Sequence, residues 1–294
     1  MTEGQQTNSA SGEGAIIITD DDLEKFCEFL YRKTGIRIES KKRYFLERRL
    51  IERVGVMKCA NFRDYFSLLH FEDAGRELQQ VVNLMTINET YFFREMYQID
   101  CLINSILADV SRRKRRQGDR LKIWSVPCST GEEPYSIAIS LLERWPLVDD
   151  FEIEIHDSDI DSSVLERAKV GVYDERALHL LPMMYRQKYF TPRSDGNWQI
   201  ISDLRGSIDF TLVNISNLSH TWQYRDFDVI FCRNLLIYFD DVSRRQAAEM
   251  FYEALSPGGF ICLGHSESMS RMSSLFVPRK FADAMVYQKS PQRL

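Results

Sequence analysis

The first regular pattern along the chain is helical. Leu23, Phe26, Cys27 and Leu30 share one face of a 3.6-residue repeat, with Asp21 or Asp22 placed to cap it. Thr34-Gly-Ile-Arg-Ile38 breaks the pattern, and residues 41–54 resume it through Phe45, Arg49 and Arg53 as a helix with a ridge of positive charge. Residues 61–69, with Asn61 as cap, and 75–85 read as two more short helices. With no strand-like alternation between about 20 and 87, this stretch predicts a small all-helical domain. Another helix over 99–110 ends in the basic run Ser111-Arg-Arg-Lys-Arg-Arg-Gln-Gly-Asp-Arg120, which reads as a solvated linker.

From Leu121 onward strands and helices alternate. Strands are predicted at 121–126, 151–156, 227–232, 259–263 and 284–287, and helices at 132–144, 162–169 and 243–255, which together give an α/β fold with a mostly parallel sheet. Short antiparallel strands at 188–191, 198–201 and 208–213, turning at Ser194-Asp-Gly-Asn197, interrupt the rhythm, and the last of them joins either this excursion or the main sheet. The expected division is a tail at 1–18, a helical domain at 19–87, a linker and helix at 88–120, and an α/β domain at 121–294 with a β subdomain at about 187–212.

Composition narrows the class. A chain of 294 residues with 44 % hydrophobic and 28 % charged positions folds into globular domains rather than staying disordered. No apolar run approaches the roughly 18 residues of a membrane span, and residues 1–14 lack the basic start and apolar middle of a secretory signal, so a cytoplasmic location is expected. The six cysteines and five histidines show no ligand spacing, so reduced thiols and no metal are expected. A net charge of -5 excludes a surface built wholly for nucleic acid and leaves room only for local basic patches.

The candidate chemistry lies beyond the strand ends, where open parallel sheets bind ligands. Strand 121–126 opens into Pro127-Cys-Ser-Thr-Gly-Glu-Glu-Pro134, in which Gly131 lets backbone approach a ligand. Glu132 and Glu133 would repel a pyrophosphate; they either stabilise the first helical turn or pair with an ammonium group. The next strand delivers Asp159, placed to accept ribose hydroxyls, and Asp161, placed to cap the following helix. Nucleoside binding without phosphate binding points to S-adenosylmethionine. Asn214, Arg233 and Asn234 follow later strands, and Tyr238 stands within reach of a reacting methyl group.

Asn88-Glu-Thr-Tyr-Phe-Phe-Arg-Glu95, Trp124-Ser-Val-Pro-Cys-Ser-Thr-Gly-Glu-Glu-Pro-Tyr-Ser136, Ser158-Asp-Ile-Asp161, Phe231-Cys-Arg-Asn-Leu-Leu-Ile-Tyr-Phe-Asp240 and Gly264-His-Ser-Glu-Ser268 occur in one order. In that order they resemble the chemotaxis receptor glutamate methyltransferases of the CheR type, from about residue 20 to 288. The resemblance implies an all-helical N-terminal domain before a Rossmann-like S-adenosylmethionine-dependent methyltransferase domain with a small antiparallel β subdomain. It implies methyl transfer to the γ-carboxylate of receptor glutamates, leaving S-adenosylhomocysteine.

By the same resemblance, Asn88, Thr90 and Arg94 stand at the cofactor, Glu132 takes its amino group, Asp159 its ribose, and Asn214 and Asn234 make further contacts; Gly131 and Ile215 are further cofactor-binding candidates. Arg233 and Tyr238 form the active-site wall, and Arg94 with Tyr238 aligns the reactants without a general base. Lys42, Arg43, Arg49 and Arg53 are expected to dock the acidic helical bundle of a methyl-accepting chemotaxis receptor, and the β subdomain is a possible seat for a receptor C-terminal tether. A monomer, contact with membranes only through receptors, and no specific nucleic acid complete the expectation. The rival readings are a methyltransferase with a nucleic-acid acceptor and a non-catalytic S-adenosylmethionine-sensing adaptor.

Overall fold

The computed structural model describes residues 16–38, 43–71, 75–114 and 118–291. Helix α1 (Asp20–Thr34) starts at neither aspartate expected to cap it. Thr19 is the cap: its hydroxyl accepts the Asp22 N–H at 3.2 Å while the Asp22 carboxylate accepts the Thr19 N–H at 3.1 Å. This reciprocal box satisfies two donors at once, which a lone aspartate cannot do. Gly35, at φ +73°, ends the helix, and a Cβ there would lie 2.5 Å from the Ser216 hydroxyl, so both conformation and space require glycine.

Helices α2 (Arg43–Val56), α3 (Phe62–Phe71) and α4 (Arg76–Met85) pack on α1 around Phe26, Leu30, Leu46, Leu50, Phe62 and Val81. Asn61 caps α3 by accepting the Asp64 N–H at 3.0 Å. The charged ridge of α2 is not uniform. The Arg53 guanidinium is only 15 % exposed and grips both carboxylate oxygens of Glu77, which also accepts the Tyr65 hydroxyl at 2.6 Å. The docking role expected of Arg53 therefore does not hold, because its charge is neutralised inside the helical domain. Arg43 pairs with Asp20, and Arg49 lies 3.5 Å over the Phe45 ring. Lys41 and Lys42 lie outside the described residues.

Helices α5 (Met96–Cys101) and α6 (Leu107–Arg113), joined by a π-helical turn at Leu102–Ile106, lead into the second domain. The expected solvated linker is partly tied down: Arg113 donates to the Pro257 carbonyl, and Lys114 pairs with the fully buried Asp228 at 2.6 Å. There β1 (Arg120–Ser125), α7 (Glu132–Arg144), β2 (Glu152–Asp159) and α8 (Ser162–Val170) follow in turn.

The excursion comes next, with β3 (Val172–Tyr173), α9 (Met183–Tyr189), β4 (Phe190–Pro192) and β5 (Trp198–Ile200). The chain continues through α10 (Ser202–Gly206), β6 (Ile208–Leu212), α11 (Leu218–Thr221), β7 (Phe227–Cys232) and α12 (Asp241–Ala254) to β8 (Leu255–Leu263), β9 (Phe276–Lys280) and β10 (Met285–Lys289).

The main sheet has the order β6-β2-β1-β7-β8-β10-β9, with β10 antiparallel to both its neighbours. Its central strands are buried on both sides, as their unbroken apolar runs require. Of the two placements open to strand 208–213, the main sheet is the one found: it forms the edge, paired with β2. One correction applies to the expected β subdomain, since the separate sheet β3-β5-β4 begins at Val172 rather than near 187. Strand β3 has two residues, too few to show alternation, and β9 was not anticipated either.

Removing one partner of a buried ion pair strands the other charge, at about 3–5 kcal/mol. Arg53→Ala is expected to lower stability in urea unfolding by about that amount, whereas Arg48→Ala on the exposed face should change it by under about 0.5 kcal/mol. Equal, small losses would show that the Arg53–Glu77 pair does not hold the helical domain.

Candidate active site at the carboxyl ends of the central strands

Strand order reverses between β1 and β7, and a cavity of about 320 Å3 lies beyond their carboxyl ends. Its walls are Asn88, Glu89, Thr90, Tyr91 and Arg94 from the segment before α5, Pro127 to Ser129 after β1, Glu133 on α7, Asp159 at the end of β2, and Arg233, Asn234 and Tyr238 after β7. The helical domain closes it with Arg37, Phe45 and Thr86. The structure thus brings together Asn88, Thr90, Arg94, Asp159, Arg233, Asn234 and Tyr238, residues separated by up to 150 positions.

The two ends of the site are fixed differently. Asp159 is buried, and its carboxylate accepts the Ser129 and Asp161 N–H groups, each at 2.9 Å. Burial outweighs those bonds and pushes its pKa up to about 6. Asp161 caps α8 through the Ser163 and Val164 N–H groups and accepts the Asn88 amide at 2.8 Å. At the other end Arg94 donates to the Glu89 carbonyl and keeps further donors toward the cavity. Burial raises the Tyr238 phenol above its ordinary pKa, partly offset by Arg94, so Tyr238 stays a protonated donor beside that cation.

Several expected contacts are not carried by this geometry. Glu132 turns away: both its oxygens receive the Thr130 hydroxyl, at 2.9 and 2.7 Å, and burial pushes its pKa up to about 7. Glu133, one helical position on, is the carboxylate that lines the cavity, and it accepts the Ser125 hydroxyl at 2.8 Å. The close approach that Gly131 permits, at φ +94°, is to protein, since a Cβ would meet Tyr135, Ala168 and Tyr173 at 3.0–3.1 Å. Asn214 donates to the Lys33 carbonyl at 2.6 Å and stitches α1 to the α/β domain, while Ile215 is core; neither lines the cavity.

Arg233 is buried as well, 4 % exposed, between Glu133 at 2.6 Å and Glu95 at 3.2 Å, and it donates to the Arg94 carbonyl at 2.8 Å. It lines the cavity while its guanidinium holds the wall together. Glu95 and Glu267 were overlooked, although both stand inside the quoted motifs. Glu267 accepts the N–H groups of Asn234, Leu236 and Gly264 and so fixes the loop that carries Tyr238. Phe93, Glu95, Ser129 and Asn234 all have φ between +49° and +59°, a conformation costly for non-glycine residues. Its repetition at four points around one cavity marks a site held by its surroundings.

Among the described residues no group of three or more potential metal-ligating side chains gathers, and no helix is long and apolar enough to cross a membrane. The cavity size and the carboxyl groups of Asp159 and Glu133 that line it fit S-adenosylmethionine, and the fold is that of a Rossmann-like S-adenosylmethionine-dependent methyltransferase. A family model described as "CheR methyltransferase, all-alpha domain" matches residues 21–86, and "CheR methyltransferase, SAM binding domain" matches residues 88–284. The chain belongs to the CheR methyltransferase family. It is 49 % identical to chemotaxis protein methyltransferase 2 of Vibrio cholerae over 93 % of this chain and 94 % of that one. Identity is 36 % to chemotaxis protein methyltransferase 2 of Pseudomonas aeruginosa, over 87 % and 90 %, and 32 % to the chemotaxis protein methyltransferase of Escherichia coli, over 90 % of each.

Asp159→Asn is expected to weaken S-adenosylmethionine binding about tenfold or more at pH 7.5 by calorimetry. Wild-type affinity should fall as pH drops through about 6, where Asp159 takes up a proton. Equal affinities would remove Asp159 from the site. For Glu132 the folded pKa, about 7, lies above the ordinary 4.5, so its destabilising effect is absent at low pH, grows between those values and is complete above 7. Glu132→Gln should therefore raise Tm little at pH 5 and most above pH 7.5, by the equivalent of at most roughly 3 kcal/mol. A Tm difference independent of pH would contradict this.

Proposed function

We propose that this chain, acting in the cytoplasm, transfers the methyl group of S-adenosylmethionine to the γ-carboxylate of glutamates on methyl-accepting chemotaxis receptors. The observation that carries the reading is the cavity's chemistry: among the described lining residues are the guanidinium groups of Arg37, Arg94 and Arg233 and the phenols of Tyr91 and Tyr238, and no histidine. Its one thiol among the described lining residues, Cys128, is held protonated by burial. Glu133 is engaged by Arg233. An acceptor that is already an anion near neutral pH needs no proton removed, and a glutamate carboxylate is such an acceptor. The names of the relatives, as chemotaxis protein methyltransferases, support the same choice.

S-adenosylmethionine supplies an activated methyl on a sulfonium sulfur, so that forming the ester O–C bond breaks the C–S bond and no proton moves. Arg94 and Tyr238 orient the acceptor carboxylate, and its two oxygens offer both of them an acceptor. A tight salt bridge would stabilise the charged ground state more than the transition state, where opposite charges are being neutralised. The hold of the Glu89 carbonyl on Arg94 moderates that bridge. On the surface, Arg43 and Arg49 of α2 present charge to an acidic receptor helix, and β4, at an edge of the small sheet, is the proposed seat of a receptor C-terminal peptide.

The test is transfer of labelled methyl to chemoreceptor-bearing membranes, scored as alkali-labile ester on the receptor. Label should appear and should vanish when the receptor glutamates are changed to alanine. Tyr238→Phe should lower kcat about tenfold or more with little change in the KM for S-adenosylmethionine. Label that survives the receptor changes would overturn the acceptor.

A further inference from the structure

Ile237 borders two hollows. It lines the catalytic cavity, and with Leu236, Arg244, Arg245, Ser268 and Arg271 it also lines a separate groove of about 350 Å3. The charge of that groove is one-sided. Its buried acid, Glu267, is turned to backbone, accepting the Asn234, Leu236 and Gly264 N–H groups at 2.7–2.9 Å. Its other acid, Asp241, faces Arg244 at 3.3 Å. Arg245 and Arg271 are exposed and have no carboxylate within ion-pair distance among the described residues. Between groove and cavity stands an apolar step, Ile237, which is 43 % exposed.

The groove is also mechanically joined to the active site. Arg244 donates through Nε to the Leu236 carbonyl at 2.9 Å, so it holds from outside the same loop that Glu267 holds from beneath and that carries Tyr238 into the cavity. On the far rim, Phe45 of α2 lines the cavity beside Arg49. The cavity mouth therefore lies between two cationic flanks that belong to different domains.

We infer that the groove is a second receptor contact, which takes an acidic side chain of the helix that presents the acceptor glutamate, one or two turns from it. This rests on the receptor-glutamate reading above. A helix rises about 5.4 Å per turn, so residues three, four or seven positions from the acceptor lie on the same face and reach across a shared wall such as Ile237. An exposed apolar step with unpartnered guanidinium groups beyond it fits an amphipathic acidic helix. The groove thus selects which glutamate enters: one with an acidic neighbour on the α12 side.

The experiment is receptor methylation kinetics at low salt with the full-length double variant Arg245→Glu/Arg271→Glu and the milder Arg245→Gln/Arg271→Gln. The reversal is expected to raise the KM for receptor about tenfold and the neutral pair by less, with the KM for S-adenosylmethionine and Tm unchanged. A lysine replacing the receptor's neighbouring acidic residue should restore methylation by the reversal variant. Receptor KM values equal to wild type in both variants would overturn the groove while leaving the acceptor assignment intact. Loss of nucleic-acid binding with the receptor KM unchanged would also overturn it. No ester label with the wild-type enzyme would overturn both.

Discussion

Arg233 carries a full charge in a nearly water-free position, 4 % exposed, and two segments that are distant in sequence meet on it. Its guanidinium takes Glu133 from α7, Glu95 from the segment before α5 and the carbonyl of Arg94. The pair is mutual: His265 and Arg233 hold Glu95 below its ordinary pKa against the opposing effect of burial, and the two acids hold Arg233 above its own despite burial. An ion cluster this dry is stable only when every partner is present, because any one left alone keeps its desolvation cost. The direction of Arg94, the cavity-facing cation, therefore depends on a residue that does not itself need to touch a reactant.

The same logic explains why the backbone around the cavity tolerates four left-handed non-glycine residues. Each is held by a specific buried acceptor or ion: the Phe93 N–H by Ser136, Glu95 by Arg233, the Ser129 N–H by Asp159 and the Asn234 N–H by Glu267. Strain of this kind persists where surrounding contacts over-determine it. The helical domain is fastened to the same frame. The Arg37 N–H donates to the Tyr238 carbonyl at 3.0 Å within an antiparallel bridge between Ile36 and Phe239, and the Tyr31 hydroxyl meets Asp240 at 2.9 Å. Helix α1 and the segment after it are thus tied to the loop of Tyr238 at the cavity mouth.

Buried carboxylates give the site its electrostatic character. Asp159, Glu133 and the fully buried Asp157 lie at the ends of adjacent elements, and burial and the nearby Glu133 push the Asp157 carboxyl well above its ordinary pKa. The Glu133 carboxylate that lines the cavity disfavours a pyrophosphate and favours a cationic ligand. This is the physical counterpart of a loop that has Glu132 and Glu133 where a dinucleotide site would have glycines.

Helices, strands and the order of the main layers were legible because they rest on local rules. The Leu23 to Leu30 repeat, the apolar run at 227–232 and the acid at the end of β2 each show their role within a few residues. The cavity residues Asn88, Thr90, Arg94, Asp159, Asn234 and Tyr238 were legible for a different reason, since they recur in ordered motifs. What the sequence could not resolve depends on the angle at which a side chain leaves its helix and on what it meets there. Glu132 and Glu133 are neighbours of the same type, and only the phase of α7 against β1 turns one to Thr130 and the other to Arg233. Arg53 and Arg49 share a ridge in sequence, but tertiary packing buries one against Glu77 and leaves the other stacked on the Phe45 ring. Arg233 follows a strand as a site residue would, and only the fold shows that Glu95 and Glu133 arrive from elsewhere in the chain to pair with it. Residue type and spacing determine which charges the protein carries, and three-dimensional packing alone decides which of them are neutralised within it and which are left to meet a partner.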